Sequence, residues 1–203
     1  MGDQDQLGKR RKVIPWFLAC VLAVAAALFA IDFFAIKDPL LAKGLILGSM
    51  IFLVIAGLNA AANARAKGGM GDAKSRYLLR MLAVSLAYVG SLFIAALLID
   101  EGDPITVFSV VIALVPGLAV AGYFWAIGRY LQEQQDEFLR MLLVRQSLIA
   151  TALAFSAAAM WGFLENFGQA PHVDAYWWPI IWFLGIGAGA VANKVQYGTY
   201  GEA

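Results

Sequence analysis

Six long uncharged apolar stretches run along this chain, and its charges collect between them. The stretches are Val13 to Ile31, Gly44 to Ala64, Met81 to Ile99, Ile105 to Gly128, Gln146 to Leu164 and Ala175 to Asn193. A hydrocarbon core about 30 Å thick takes about 20 residues of α-helix to cross, and each stretch meets that length. None carries the polar face of an amphipathic soluble helix, and the strands of a membrane barrel would read as alternating segments of about 10 residues. The pattern predicts an all-α, polytopic membrane protein with six transmembrane helices, forming a single membrane domain over residues 1–203.

Two stretches need a closer look. Lys9-Arg10-Arg11-Lys12 followed by an alanine-rich run resembles the start of a signal peptide. The apolar run is longer than a signal core of about 7 to 15 residues, which favours a span. In the second stretch Asn59 and Asn63 stand one turn apart, so both amides fall on one helix face near the membrane boundary.

Basic residues set orientation in membrane chains, because short loops rich in Lys and Arg stay in the cytoplasm. An inside N-terminus places Lys9 to Lys12, then Arg65, Lys67, Lys74, Arg76 and Arg80, then Arg129, Arg140 and Arg145, and finally Lys194 on that side. Only Lys37 and Lys43 remain outside, so both termini are expected in the cytoplasm. Tyr176-Trp177-Trp178, Trp16, Phe33 and Phe34 then fall near the interfaces, where amphipathic rings prefer to sit. Trp161, Trp177, Trp178 and Trp182 accordingly read as a belt rather than a cage for a cationic ligand.

Composition agrees with the pattern. Apolar residues make up 62% of the chain and charged ones 14%, against roughly 45–50% and 25% in soluble domains. The net charge of +1 gives no basis for direct contact with nucleic acid. Cys20 is the only cysteine, which excludes an intrachain disulfide and a cysteine metal cage. Its apolar setting points to packing rather than reactivity.

Small residues carry helix association in lipid, where there is no hydrophobic drive. Gly44 and Gly48, Gly185 and Gly189, and the stripe Ala19, Ala23 and Ala27 have the four-residue spacing that lets backbones approach, either within the chain or in a homodimer. Pro116 lies within the fourth stretch, supplies no amide hydrogen to the helix, and predicts a kink.

Candidate chemistry is sparse. No stretch holds an ionisable side chain of the kind that marks an ion path or proton relay, which weighs against a pump. His172 is the only histidine, and with Asp174 nearby it offers too few ligands for zinc. A serine or cysteine triad has no plausible cast, and no glycine loop cradles phosphate. Glu165, beside Asn166 at a helix end, reads as a cap or loop contact rather than a general acid or base. No enzymatic activity, metal or cofactor is expected.

The richest polar segment runs from Arg129 through Tyr130, Glu133, Asp136, Glu137 and Arg140 to Arg145. Lacking Gly and Pro, it predicts helices that continue past the membrane and meet in a turn near residues 134–136, with Asp136 and Glu137 opening the fifth helix. From about Arg76 to Tyr197 the chain resembles a family of small, largely uncharacterised bacterial four-helix membrane proteins. The family's middle loop follows a pattern like R-[FY]-L-x-E-x-D-E-x-x-R. Here the matching stretches are Arg129-Tyr130-Leu131 with Glu133, Asp136-Glu137 and Arg140, then Trp161-Gly162-Phe163-Leu164-Glu165, then Trp177-Trp178-Pro179. One extra residue stands between Glu133 and Asp136, and residues 1–64 add two helices to the four-helix pattern at 76–197.

Members of that family tend to be encoded beside a short helix-turn-helix regulator. The resemblance therefore implies a bacterial inner-membrane protein that sequesters and inhibits such a transcription factor from the cytoplasmic side. Arg129, Tyr130, Glu133, Asp136, Glu137, Arg140 and Arg145, together with the basic second loop, are the expected docking surface. Acidic side chains there would stand in for DNA phosphates. A small-molecule facilitator or channel, lined by backbone and small polar groups, is the alternative.

Overall fold

The computed structural model describes residues 11–66, 70–99, 102 and 104–201. Lys9, Arg10, Lys67, Asp100, Glu101 and Asp103 lie outside the described residues. Six helices follow in order: α1 (Ile14–Phe33), α2 (Pro39–Arg65), α3 (Met70–Leu98), α4 (Val107–Glu133), α5 (Glu137–Asn166) and α6 (Trp177–Tyr197). All six are long and apolar enough to cross a membrane, and the chain is an all-α, multi-pass membrane protein.

Burial confirms the solvent for which the sequence is written. Leu184 and Phe155 are 71% and 72% exposed, and every helix presents further large apolar side chains. In water each would forgo about 1.5–3 kcal/mol of burial, a penalty that lipid tails remove. What is buried between helices is mostly small, including Ala56, Ala61, Ala126, Ala150 and Ala154.

The helices overrun the uncharged stretches. α3 begins well before Met81, α4 continues to Glu133, and α5 begins well before Gln146. At 30 residues α5 is about 45 Å long, some 15 Å more than the hydrocarbon core requires. Local chemistry places the ends. The Asp38 carboxylate accepts from Leu41 N–H ahead of α2. Thr106 and Ser109 exchange backbone N–H and hydroxyl bonds at the start of α4, closing two amides that no helical carbonyl reaches. α4 runs continuously through Pro116, which cannot donate to the Ile112 carbonyl.

The chain divides into two compact units, Met1–Tyr130 and Leu131–Ala203. In the first, α1 packs on α2 and α2 on α3. Trp16 stacks on Phe52 with centroids 6.0 Å apart. A Cβ on Gly57 would stand 3.1 Å from Leu82, and Lys43 Nζ donates to the Ala96 carbonyl. Asn59 and Asn63 face the segment that leads into α1. Asn63 accepts from Arg11 N–H at 2.9 Å and returns an amide hydrogen to the Arg11 carbonyl at 2.8 Å, while Asn59 donates to the Lys12 carbonyl at 3.1 Å. The shared face read from the sequence is thus a clamp on the start of α1. α4 meets α3 through its C-terminal half, where Gly122 lies under Val84, Tyr123 donates to Ser85, and the Arg80 guanidinium lies over Trp125.

In the second unit α5 and α6 form an antiparallel seam with one paired position per turn. Phe138 meets Tyr197 edge-on, Asn193 donates to the Leu142 carbonyl, Gly189 lies on Gln146, and Gly185 lies on Ala150. Both helices keep a four-residue step, which is the condition for their ridges to interlock. Of the glycine pairs singled out by spacing, Gly185 and Gly189 are used in this way, whereas a Cβ on Gly44 or Gly48 would meet nothing within 4 Å.

Candidate functional site

α4 ends at Glu133 and α5 begins at Glu137, so residues 134–136 form the turn that the sequence predicts there. Asp136 is the cap of α5. Its backbone is extended, and one carboxylate oxygen accepts from Phe138 N–H at 2.9 Å and Leu139 N–H at 3.1 Å. Glu137 follows in the first turn, where the unsatisfied amides favour negative charge. Arg140 reaches back from α5 and donates to the Gln134 carbonyl, tying the turn to the helix. Removing the cap by Asp136→Ala is expected to lower stability by about 1 kcal/mol, read as a fall in thermal unfolding midpoint in detergent. Glu137→Gln, which loses only a dipole interaction, is expected to cost about half as much or less.

The head of α5 is braced from α6 and the segment beyond it. Gly198 takes the left-handed conformation (φ 75°) that ends α6 and turns the chain back. The Tyr200 carbonyl then accepts from Gln146 Nε2 at 2.7 Å. Asn193, completely buried, accepts from Arg145 at 3.3 Å, and the Arg145 guanidinium lies 5.1 Å from the Tyr197 ring centroid. Lys194 donates to the Gly198 carbonyl at 2.8 Å and lies over the Tyr200 ring. The first turns of α5 are therefore a fixed platform.

The seven residues singled out by sequence take different positions. Tyr130 falls in the first unit and is buried, its ring stacked on Tyr77 with centroids 4.6 Å apart. Arg129, also in the first unit, is exposed. In the second unit Glu137 and Arg140 are exposed, while Glu133, Asp136 and Arg145 are half-buried. The Asp136 carboxylate is occupied by capping, and Arg145 by Asn193 and Tyr197. Sequence reasoning did not single out Gln134, Asn193 or Tyr77. A polar residue in a helical stretch, one seam step from a glycine pair, was the available signal for Asn193.

At the far end of α5, Glu165 makes a loop contact. One carboxylate oxygen accepts from Val173 N–H at 2.8 Å and the other lies 3.2 Å from His172 Nδ1. His172 Nε2 stands 3.7 Å from Asp174, but at 79% exposure these are surface pairs of small worth. The Asp174 carboxylate hydrogen-bonds the exposed Tyr176 hydroxyl, and with its charge holds the phenol above its ordinary pKa. Trp161 donates to the Pro171 carbonyl at 3.2 Å. Trp182 departs from a membrane belt: it is buried and donates to Thr151 at 3.0 Å. Among the described residues no three His, Cys, Asp or Glu side chains are grouped as metal ligands. Compared with family models, curated proteins and solved structures, the chain matches none.

Proposed function

We propose that this multi-pass membrane protein acts by binding, holding a short helix-turn-helix transcription factor at the cytoplasmic face of a bacterial inner membrane and so inhibiting it. The observation that carries the reading is the braced, charged head of α5. This helix continues for turns that spanning does not require, and α6 with the segment after it fixes those turns while leaving Glu137 and Arg140 exposed. Rigid presentation of charge is what a protein surface needs for recognition without a large ordering cost. Glu133 and Glu137 present negative charge suited to the basic face with which such a factor meets DNA phosphates. A factor held there is withdrawn from its operator by simple competition. The resemblance over residues 76–197 supports the same partner class.

The test is whether a short helix-turn-helix protein is encoded beside this chain and is captured by the full-length protein in detergent. A Glu133→Lys, Glu137→Lys double variant is expected to weaken capture at least about tenfold, or 1.4 kcal/mol, with a reporter of the factor's operator changing in step. Undiminished capture by the variant would remove these residues from the surface, and no capture by the native chain would remove the partner.

A further inference from the structure

The loop joining α5 to α6 holds the chain's one histidine between two carboxylates, and we propose that this loop is a pH-sensitive clasp that tightens when His172 takes up a proton. Residues 167–176 fold back onto the last turns of α5 and are fastened there at successive points. Trp161 donates to the Pro171 carbonyl, Glu165 Oε1 accepts from Val173 N–H, and Glu165 Oε2 lies 3.2 Å from His172 Nδ1. On its other side the ring turns Nε2 toward Asp174, 3.7 Å away. Each ring nitrogen therefore faces a carboxylate oxygen, and an ionised carboxylate only accepts.

A neutral imidazole carries a single ring hydrogen and satisfies only one of these neighbours. With the hydrogen on Nδ1 it donates to Glu165, and the Nε2 lone pair is left facing the Asp174 carboxylate. The imidazolium carries a hydrogen on both nitrogens, so protonation turns a repulsive contact into an ion pair. Two further features favour the cation. Glu165 stands in the last turn of α5, where unsatisfied carbonyls attract positive charge. No Lys or Arg occurs from residue 146 to 193, so the imidazolium is the one cation this stretch offers its own acids. Among the described residues of the loop the remaining titratable group is Tyr176, which hydrogen-bonds Asp174 and keeps its proton because that carboxylate raises its pKa. Closure is strongest where the imidazole is charged and both carboxylates are ionised. It is lost as pH rises through the imidazole range, about pH 5 to 8. Each exposed pair is weak alone, but one proton strengthens both together. The clasp lies at the end of α5 opposite the turn at residues 134–136 and does not depend on the partner proposed there.

The experiment follows hydrogen exchange of the Val173 amide in the full-length protein in detergent, corrected for the pH dependence of exchange itself. From about pH 8 down to about pH 5.5 exchange in the native chain is expected to slow about three- to fivefold, the scale of exposed ion pairs acting together. His172→Gln is expected to abolish this pH dependence, and Asp174→Asn to remove most of it. Because the chain has one histidine, isotope labelling of histidine nitrogen reads the same ring directly. Its hydrogen is expected on Nδ1 in the neutral form, as donation to Glu165 requires, and on both nitrogens in the charged form. Val173 exchange that does not change with pH, the same pH dependence in His172→Gln, the full dependence in Asp174→Asn, or a neutral ring protonated on Nε2 would each overturn the proposal.

Discussion

Alanine at both Gly185 and Gly189 is expected to force α6 away from α5 and to destabilise the second unit by about 4 kcal/mol, taking each overpacked position at roughly 2. A Cβ on Gly185 would lie 2.7 Å from Ala150 Cα and 3.0 Å from its Cβ, and one on Gly189 would lie 2.8 Å from Gln146 Cα and 3.1 Å from its carbonyl oxygen. All but the Ala150 Cβ are backbone atoms of a helix. They have no rotamer to change, so relief comes only from separating the helices, which strips contact from every step of the seam. Gly44→Ala with Gly48→Ala is the matched control, since both sites open onto free space within the chain and the change is expected to stay within about 0.5 kcal/mol. Unfolding midpoints in a graded denaturing detergent read the difference. Equal midpoints for the two double variants would show that the seam does not hold α6 in place.

Asn193→Leu is the second large effect, expected at about 2 kcal/mol. Its side chain is completely buried, donates to the Leu142 carbonyl at 3.1 Å and accepts from Arg145 at 3.3 Å. Leucine fills nearly the same volume but leaves the guanidinium without that acceptor, and buried groups that lose a partner cost about 1–3 kcal/mol. Part of the effect belongs to the pair. A double-mutant cycle with Arg145→Ala is expected to give a coupling of about 1 kcal/mol, whereas strictly additive losses would mean that the two side chains act independently.

The six spans were readable because crossing a bilayer is a demand on composition. About 20 uncharged residues are needed, and Val13 to Ile31 or Met81 to Ile99 display them directly. Helix ends were less readable. An uncharged run stops at the first Arg or Asp, but the backbone ladder does not, and α3 continues back through Arg80, Arg76 and Lys74 to Met70. The glycine pairs show the limit of spacing as a signal. Gly185 and Gly189 have the same interval as Gly44 and Gly48, yet only the former meet a neighbouring helix. Which pair is used depends on how α5 and α6 align, and spacing within one helix carries no information about its partner.

The turn was equally mixed. Asp136 and Glu137 declared the start of α5 through their capping chemistry, which is local in sequence. Tyr130 looked like part of the same exposed motif because it adjoins Arg129, but its ring turns inward onto Tyr77 on another helix. Adjacent residues on a helix point about 100° apart, so a motif written along the chain is divided between faces in space.

The clamp at the start of α1 has a consequence for how the chain enters its membrane. Arg11 and Asn63 are 52 positions apart in sequence, so the N–H and carbonyl of Arg11 gain their protein partners only after the whole of α2 has been synthesised. Until then α1 leads into the bilayer with an unsealed end held in the interfacial water. The seal on the start of α1 is accordingly a property of the α1–α2 hairpin and not of α1 alone.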